Sequence, residues 1–255
     1  MSTVSIIIPC YNHADYIGRA LYSCLRQAQV AEIIVVDDGS TVECLQRLRD
    51  FAAEIPLMRL LSTPLNAGAG AARNLGARAA QGEFLCFLDA DDELLAGYLE
   101  AAVHSLRANP QFSGVKVGMQ FVDFDYQPVI LPGDPRYMSL LVSSACNLFL
   151  RKSAFERIGG FPEDARFRGP LGGEDAAFSR AAEDYLSPIG YLPEAFYRVH
   201  DRPDSHLQTF LRNTRVVDAQ VFEFLEIRPE QQAGGDLAQA IDDYLAGIAG
   251  RLGLS

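Results

Sequence analysis

Positive charge is scarce in this chain of 255 residues: 22 lysines and arginines stand against 33 aspartates and glutamates, a formal net charge of −11. So acidic a surface lacks the basic footprint that nucleic-acid phosphates require, and anionic lipid repels it. Long apolar runs are missing as well. No window approaches the roughly 20 apolar residues needed to span a bilayer. The opening "VSIIIP" has no basic flank and is too short for a secretory signal. There is no low-complexity tract and no heptad array, which leaves a globular fold. The five cysteines, Cys10, Cys24, Cys44, Cys86 and Cys146, form an odd set without any C-x-x-C pair. They read as small buried hydrophobes in a reducing compartment. The expectation is a cytoplasmic protein, at most peripheral to the inner face of a membrane. Finally, G-x-x-x-x-G-K-[ST] does not occur, which excludes a P-loop.

What is present is regular alternation. Nearly half of the residues are apolar, at 49%, enough for a sizeable core. "VSIII" (4–8) and "EIIVV" (32–36) are continuous β-branched runs, as in strands covered on both faces. Further strands are expected at 57–62 and 83–88. Helical spacing follows each strand: from Asp15, from Thr41 to about Ala53, through "GAGAARNLGARAA", and over Leu94 to Leu106. Such alternation predicts a parallel sheet with right-handed crossovers, binding its ligand outside the carboxyl ends of the strands. After Pro110 the pattern changes. A strand is expected at 114–125, an irregular segment through Pro135, then a strand and a short helix from Ser153 stopping at Gly159-Gly160. "PEDARFRGPLGG" has the composition of a mobile loop. A helix over "EDAAFSRAAEDYL", a strand end at 196–200, and helices near 205–226 and 236–252 complete the reading.

Three acidic clusters fall at strand or loop ends. "DDGS" holds Asp37 and Asp38, and such residues also form ordinary turns and helix caps. "FLDADDEL" places Asp89, Asp91 and Asp92 within four positions. If the strand persists, Asp89 and Asp91 share a face and suit Mg²⁺ or Mn²⁺; alternatively Asp91 or Asp92 caps a helix starting at Glu93. "GGED" puts Glu174 and Asp175 at a helix start, where acids are commonplace. "GAGAAR" (68–73) approaches the dinucleotide fingerprint but has Arg73 at its third glycine and follows the wrong strand.

Taken in register, "VSIIIPCYNHADYIGRAL", "EIIVVDDGS", "NAGAGAARNLGARAAQGEFLCFLDADDEL" and "GGEDAAF" resemble the family 2 glycosyltransferases. The resemblance runs over about residues 3–110 and more loosely to about 200. It implies an α/β GT-A fold, with a Rossmann-like, mostly parallel central sheet flanked by helices and a C-terminal helical tail. On that reading, residues 1–202 are the glycosyltransferase domain. Residues 1–110 form its nucleotide-sugar-binding half and 111–202 its acceptor-side half, with 203–255 a helical extension packed on the same domain. The resemblance also implies a nucleoside-diphosphate-sugar donor, usually of uridine, a Mn²⁺ or Mg²⁺ cofactor, and inversion at the anomeric carbon. The acceptor would be a glycan or lipid-linked hydroxyl.

Carried over residue by residue, Pro9, Tyr11 and Asn12 fall at the strand end that packs on the base, and Asp38 at its hydrogen-bonding aspartate. Arg73 falls at the family's arginine, Asp89-Ala90-Asp91 at its D-x-D element with Asp91 on the metal, and Asp175 at its base. His200 resembles a late histidine that contacts diphosphate or metal, or else simply faces solvent beside Asp201. The Q-x-x-R-W element of processive synthases is absent, and the chain has no tryptophan, so transfer of one sugar at a time is expected. A sugar nucleotidyltransferase on a similar sheet would carry a glycine-rich loop after the first strand, and "PCYN" supplies none. A catalytically silent binding module of the same fold is disfavoured by the presence of all three clusters. Beyond Asn109 no motif names the acceptor.

Overall fold

The computed structural model describes residues 3–123, 125–168, 172–202, 205–225 and 237–254. In chain order the first part runs β1 (Val4–Cys10), α1 (Ile17–Leu25), β2 (Val30–Asp37), α2 (Val42–Glu54), β3 (Met58–Ser62), α3 (Ala69–Ala79), β4 (Phe84–Phe87), β5 (Glu93–Leu94) and α4 (Tyr98–Ala108). Next come β6 (Gly114–Val122), β7 (Pro128–Ile130), α5 (Arg136–Ser143), β8 (Leu148–Arg151), α6 (Lys152–Ile158), a 3₁₀ turn (Ala165–Arg168), α7 (Glu174–Leu186) and β9 (Ile189–His200). The tail holds α8 (His206–Arg212), β10 (Thr214–Val216), β11 (Phe222–Phe224) and α9 (Leu237–Leu252).

Strands β1 to β9 form one sheet in the order β3-β2-β1-β4-β8-β6-β9-β5, with β7 beside β6. The four strands at the β3 end are parallel, as strand–helix alternation requires. Beyond β4 the sheet is mixed: β8 runs antiparallel to β4 and β6, β9 parallel to β6, and β5 antiparallel to β9. The parallel character therefore belongs to the first half, where crossover helices intervene between successive strands.

The β-branched run of β1 is explained by its position. Ile6 and Ile8 point into one apolar cluster with Leu21 of α1, Leu48 of α2 and Leu99 of α4. Ile7 points the other way, into a cluster with Ala72 of α3, Ile158 of α6, Phe178 of α7 and Ile248 of α9. Both faces are covered, so the strand does not alternate apolar with polar; its one polar side chain, Ser5, is buried and donates to Glu32 at 2.7 Å. Gly76 of α3 is needed for close approach to the sheet: a Cβ there would stand 2.5 Å from Ile7 Cγ2. The glycine-rich segment lets α3 lie close on the sheet, which fixes where Arg73 emerges.

Several expectations give way. The helix expected over 205–226 ends at Arg212, and a hairpin of β10 and β11 follows, pairing Thr214 with Phe224. Its β-branched and aromatic residues favour a pleated ribbon over a helix. Neither Asp91 nor Asp92 caps a helix, because α4 starts at Tyr98 behind Gly97. The described part of the loop expected before α7 is packed down: Phe167 is buried against Ala177 and Ala240, and Arg166 pairs with Asp243 at 2.8 Å. Residues 169–171 of that loop lie outside the described residues. Helix α9 packs on α7, with Tyr244 donating to the Gly160 carbonyl at 2.6 Å and Arg251 to that of Ile158 at 2.7 Å.

Candidate active site

A cavity of about 480 Å³ opens at the carboxyl ends of β1, β2 and β4, where the order of crossovers reverses. Pro9 and Tyr11 line it from the end of β1, Asp38 from the end of β2, and Arg73 from α3. Asp89, Ala90 and Asp91 line it from the turn after β4, Asp175 from the first turn of α7, and His200 from the end of β9. Of the residues expected from the sequence, Asn12 is absent from the lining. Its side-chain oxygen accepts from the Thr41 amide at 2.9 Å, and its own amide donates to Ser40 Oγ at 3.0 Å. It braces the strand end against α2, in a left-handed conformation (φ 56°) that asparagine tolerates.

Arg73 is the hub. Its side chain is only 4% exposed, and Nη2 donates to Asp89 at 2.7 Å while Nη1 donates to Asp175 at 2.9 Å and Glu174 at 3.2 Å. These three carboxylates hold the guanidinium charged, its pKa raised well above the usual value against the pull of burial. Packing withdraws Asp175 from water and lifts its carboxyl to about 7; Arg73 opposes that rise, and Glu174 and Asp89 add to it. About a quarter of the side chain, 27%, still faces the cavity. A carboxyl poised near neutrality, and reachable, is suited to accept a proton.

The aspartates after β4 sit in a turn, since that strand ends at Phe87. Tyr197 of β9 holds the turn: its hydroxyl accepts from the Asp89 amide at 3.0 Å and donates to Asp92 Oδ2 at 3.0 Å. Asp92, buried, also accepts from the His200 amide at 2.9 Å. It is a cross-link between turn and strand. His200 corrects a further expectation. Its ring is fully buried, with Nδ1 3.1 Å from Arg19 Nη1 and Nε2 2.8 Å from Glu93 Oε2. Arginine can only donate, so Nδ1 must accept, and Nε2–H donates to Glu93. Desolvation lowers the pKa of the imidazole, in keeping with this neutral form. In this arrangement the lone pair of Nδ1 is turned to Arg19.

Asp38 is buried and already employed. Its Oδ1 accepts from Thr63 Oγ1 at 2.8 Å and the Ala67 amide at 2.9 Å, and its Oδ2 from the Gly68 amide at 2.8 Å. It shapes the loop that leads into α3. Arg202 was not legible beforehand: its Nε donates to Asp91 Oδ2 at 2.6 Å, and both residues line the cavity. No local pattern marks that arginine, which reaches the site only because β9 ends beside the aspartate turn. Glu93 and Tyr197 escaped notice for the same reason.

Two arrangements compete for a divalent cation. Oxygens of Asp89 and Asp175 and the sulfur of Cys146 lie within 4.8 Å of one another. Arg73 already neutralises those carboxylates, however, and burial keeps the Cys146 thiol protonated by raising its pKa well above the ordinary value. That trio does not fit a hard ion. Asp91 fits better. Its Oδ2 is taken by Arg202, while its Oδ1, like Oδ2 of Asp89, makes no hydrogen bond among the described residues. One or two carboxylates of this kind, completed by water and phosphate, are what Mg²⁺ usually takes.

The family described as glycosyl transferase family 2 matches this chain over residues 5–161. The chain belongs to glycosyl transferase family 2. An uncharacterized glycosyltransferase of Haemophilus influenzae is 37% identical over 110 residues, 43% of this chain and 44% of that protein. EpsJ of Bacillus subtilis, also described as an uncharacterized glycosyltransferase, is 28% identical over 220 residues, 79% of this chain and 62% of EpsJ. The chain thus spans less than two thirds of the length of these relatives. Among solved structures, S. aureus TarS in complex with UDP-GlcNAc superposes with a TM-score of 0.67 at 21% identity, covering 98% of this chain and 72% of that one. This family 2 chain therefore has the GT-A fold. No helix among the described residues is long and apolar enough to cross a membrane.

Proposed function

We propose that this family 2 glycosyltransferase transfers a single sugar, with inversion, from a uridine-diphosphate sugar to an acceptor hydroxyl in glycan assembly. The observation that carries the reading is the division of labour among carboxylates on one cavity. Asp91 is paired with Arg202 and offers one oxygen, whereas the carboxyl of Asp175 is lifted to about 7. Two acids on one wall, one ion-paired with a free oxygen and the other withdrawn from water beside a buried arginine, suit separate roles.

In this mechanism Pro9 and Tyr11 pack on the base, and Asp38 meets its hydrogen-bonding edge while keeping the 63–68 loop in place. Asp91 would hold Mn²⁺ or Mg²⁺, with Asp89 toward the ribose; a bound dication would neutralise charge on the departing diphosphate. Arg202 adds a fixed positive charge on the same wall. Asp175 takes the proton from the acceptor hydroxyl as that oxygen attacks the anomeric carbon from the face opposite the diphosphate. One base without a second nucleophile gives a single displacement, hence inversion. Arg73 keeps Asp175 and Asp89 at fixed separation. The complexes of TarS with UDP and with UDP-GlcNAc support a uridine donor on this fold. The missing Q-x-x-R-W element supports one transfer per encounter.

The test is a thermal-shift and calorimetric screen of nucleoside diphosphates with and without Mn²⁺. Uridine diphosphate is expected to bind in preference to the other bases, and only with the cation. Binding indifferent to chelator removes the metal from the reading, and absence of any nucleotide binding removes the donor.

A further inference from the structure

Asp175 lines two cavities. Besides the one already described, a second of about 260 Å³ lies on the side of α5 and α8 and shares Asp89, Asp92, Glu174 and Asp175 with it. Its remaining wall has a different character: Met119 and Phe121 from β6, Leu140 from α5 and Phe210 from α8 are apolar, and Ser143 and Ser144 supply hydroxyls. No lysine or arginine lines it among the described residues. Arg73 lies beneath, spent on its three carboxylates, and His206 at the rim lines both cavities.

From this lining we infer the class of acceptor, an inference that rests on the donor reading above: the second cavity takes an uncharged glycoside, its apolar face on Leu140 and Phe210, and its reacting hydroxyl toward Asp175. An acceptor bearing carboxylate or phosphate beside that hydroxyl meets four acidic side chains, three of them already sharing Arg73, and finds no further arginine or lysine in the described lining to pair with its own charge. Removing such an anion from water without a counter-charge is costly, and the like charges repel. Apolar walls with a few placed hydroxyls suit a sugar ring, which has a C–H face and a polar edge. No residue motif could have announced this, because β6, α5 and α8 each contribute only two or three side chains.

The test pairs two near-isosteric probes, phenyl β-glucoside and phenyl β-glucuronide, which differ in one carboxylate. Their binding to the full chain loaded with UDP and Mn²⁺ is measured by calorimetry or ligand-observed NMR. The glucoside is expected to bind at least tenfold more tightly. Phe210→Ala should weaken it severalfold with UDP binding unchanged, and Leu140→Arg should recover the glucuronide. Equal or tighter binding of the glucuronide to the wild type, binding of neither probe, or a Phe210→Ala variant that holds the glucoside undiminished overturns the inference, while UDP binding in those samples leaves the donor reading standing. Wild-type protein that binds no nucleotide overturns both.

Discussion

Arg73 and Asp175, 102 positions apart in the chain, meet at 2.9 Å through Nη1 and Oδ1. The same guanidinium holds Asp89 at 2.7 Å. One buried cation thus joins the turn after β4 to the first turn of α7. Replacing it should be felt in both stability and chemistry. Arg73→Met leaves three clustered carboxylates without their counter-charge. Breaking a buried pair in this way costs about 3 kcal/mol, the carboxylates keeping some contact with the cavity. Urea unfolding would measure the loss, and an unchanged midpoint would remove Arg73 from its role as hub.

Asp175→Asn keeps the shape of the side chain and removes its capacity to take a proton. Single-turnover sugar transfer is expected to slow by about 10²–10⁴-fold, with UDP affinity unaltered. Full turnover on a true acceptor would reassign the base.

The rate should also report the state of that carboxyl. It must be ionised to act, and its pKa is raised to about 7, so kcat/KM is expected to rise through neutral pH and level off above it. Acidification below that point protonates the base and removes activity. Because Arg73 pulls this pKa down, the Arg73→Met variant should have its ascending limb displaced to higher pH.

Asp91→Ala removes the carboxylate best placed for a hard cation and strands Arg202. Calorimetry with Mn²⁺ is expected to give UDP binding at least tenfold weaker, and chelator should no longer matter. A variant that still responds to the cation would place the ion away from Asp91.

Tyr197→Phe leaves both the Asp89 amide and Asp92 Oδ2 without their shared partner. An unsatisfied buried group costs about 1–3 kcal/mol, so a loss of about 2 kcal/mol in urea unfolding is expected. Donor binding should weaken as well, since the turn that carries Asp91 is no longer anchored to β9.

How far the chain announced all this depends on the range of the interaction. The runs "VSIII" and "EIIVV" declared strands buried on both faces, because a sheet covered by helices on each side is apolar there apart from polar groups that pair, as Ser5 Oγ does with Glu32 Oε1 at 2.7 Å. Pro9, Tyr11, Asp38, Asp89, Asp91 and Asp175 were legible because strand ends and helix starts are local events, and the topology then gathers those ends at one edge. The hairpin after α8 was misread as helix, since periodicity over a short apolar stretch does not distinguish the two.

Other assignments were settled only in three dimensions. His200 looked like a ligand in the string "YRVH"; its tautomer follows from Arg19 and Glu93, residues more than a hundred positions away. Arg202 meets Asp91 across 111 positions, and the acceptor-side wall is drawn from three separate elements. Local chemistry, repeated at each strand end, named the family and most of the side chains that line the first cavity. Charge compensation and the character of the second cavity arise from side chains that only folding brings within a few ångströms of one another, and no spacing along the chain encodes that distance.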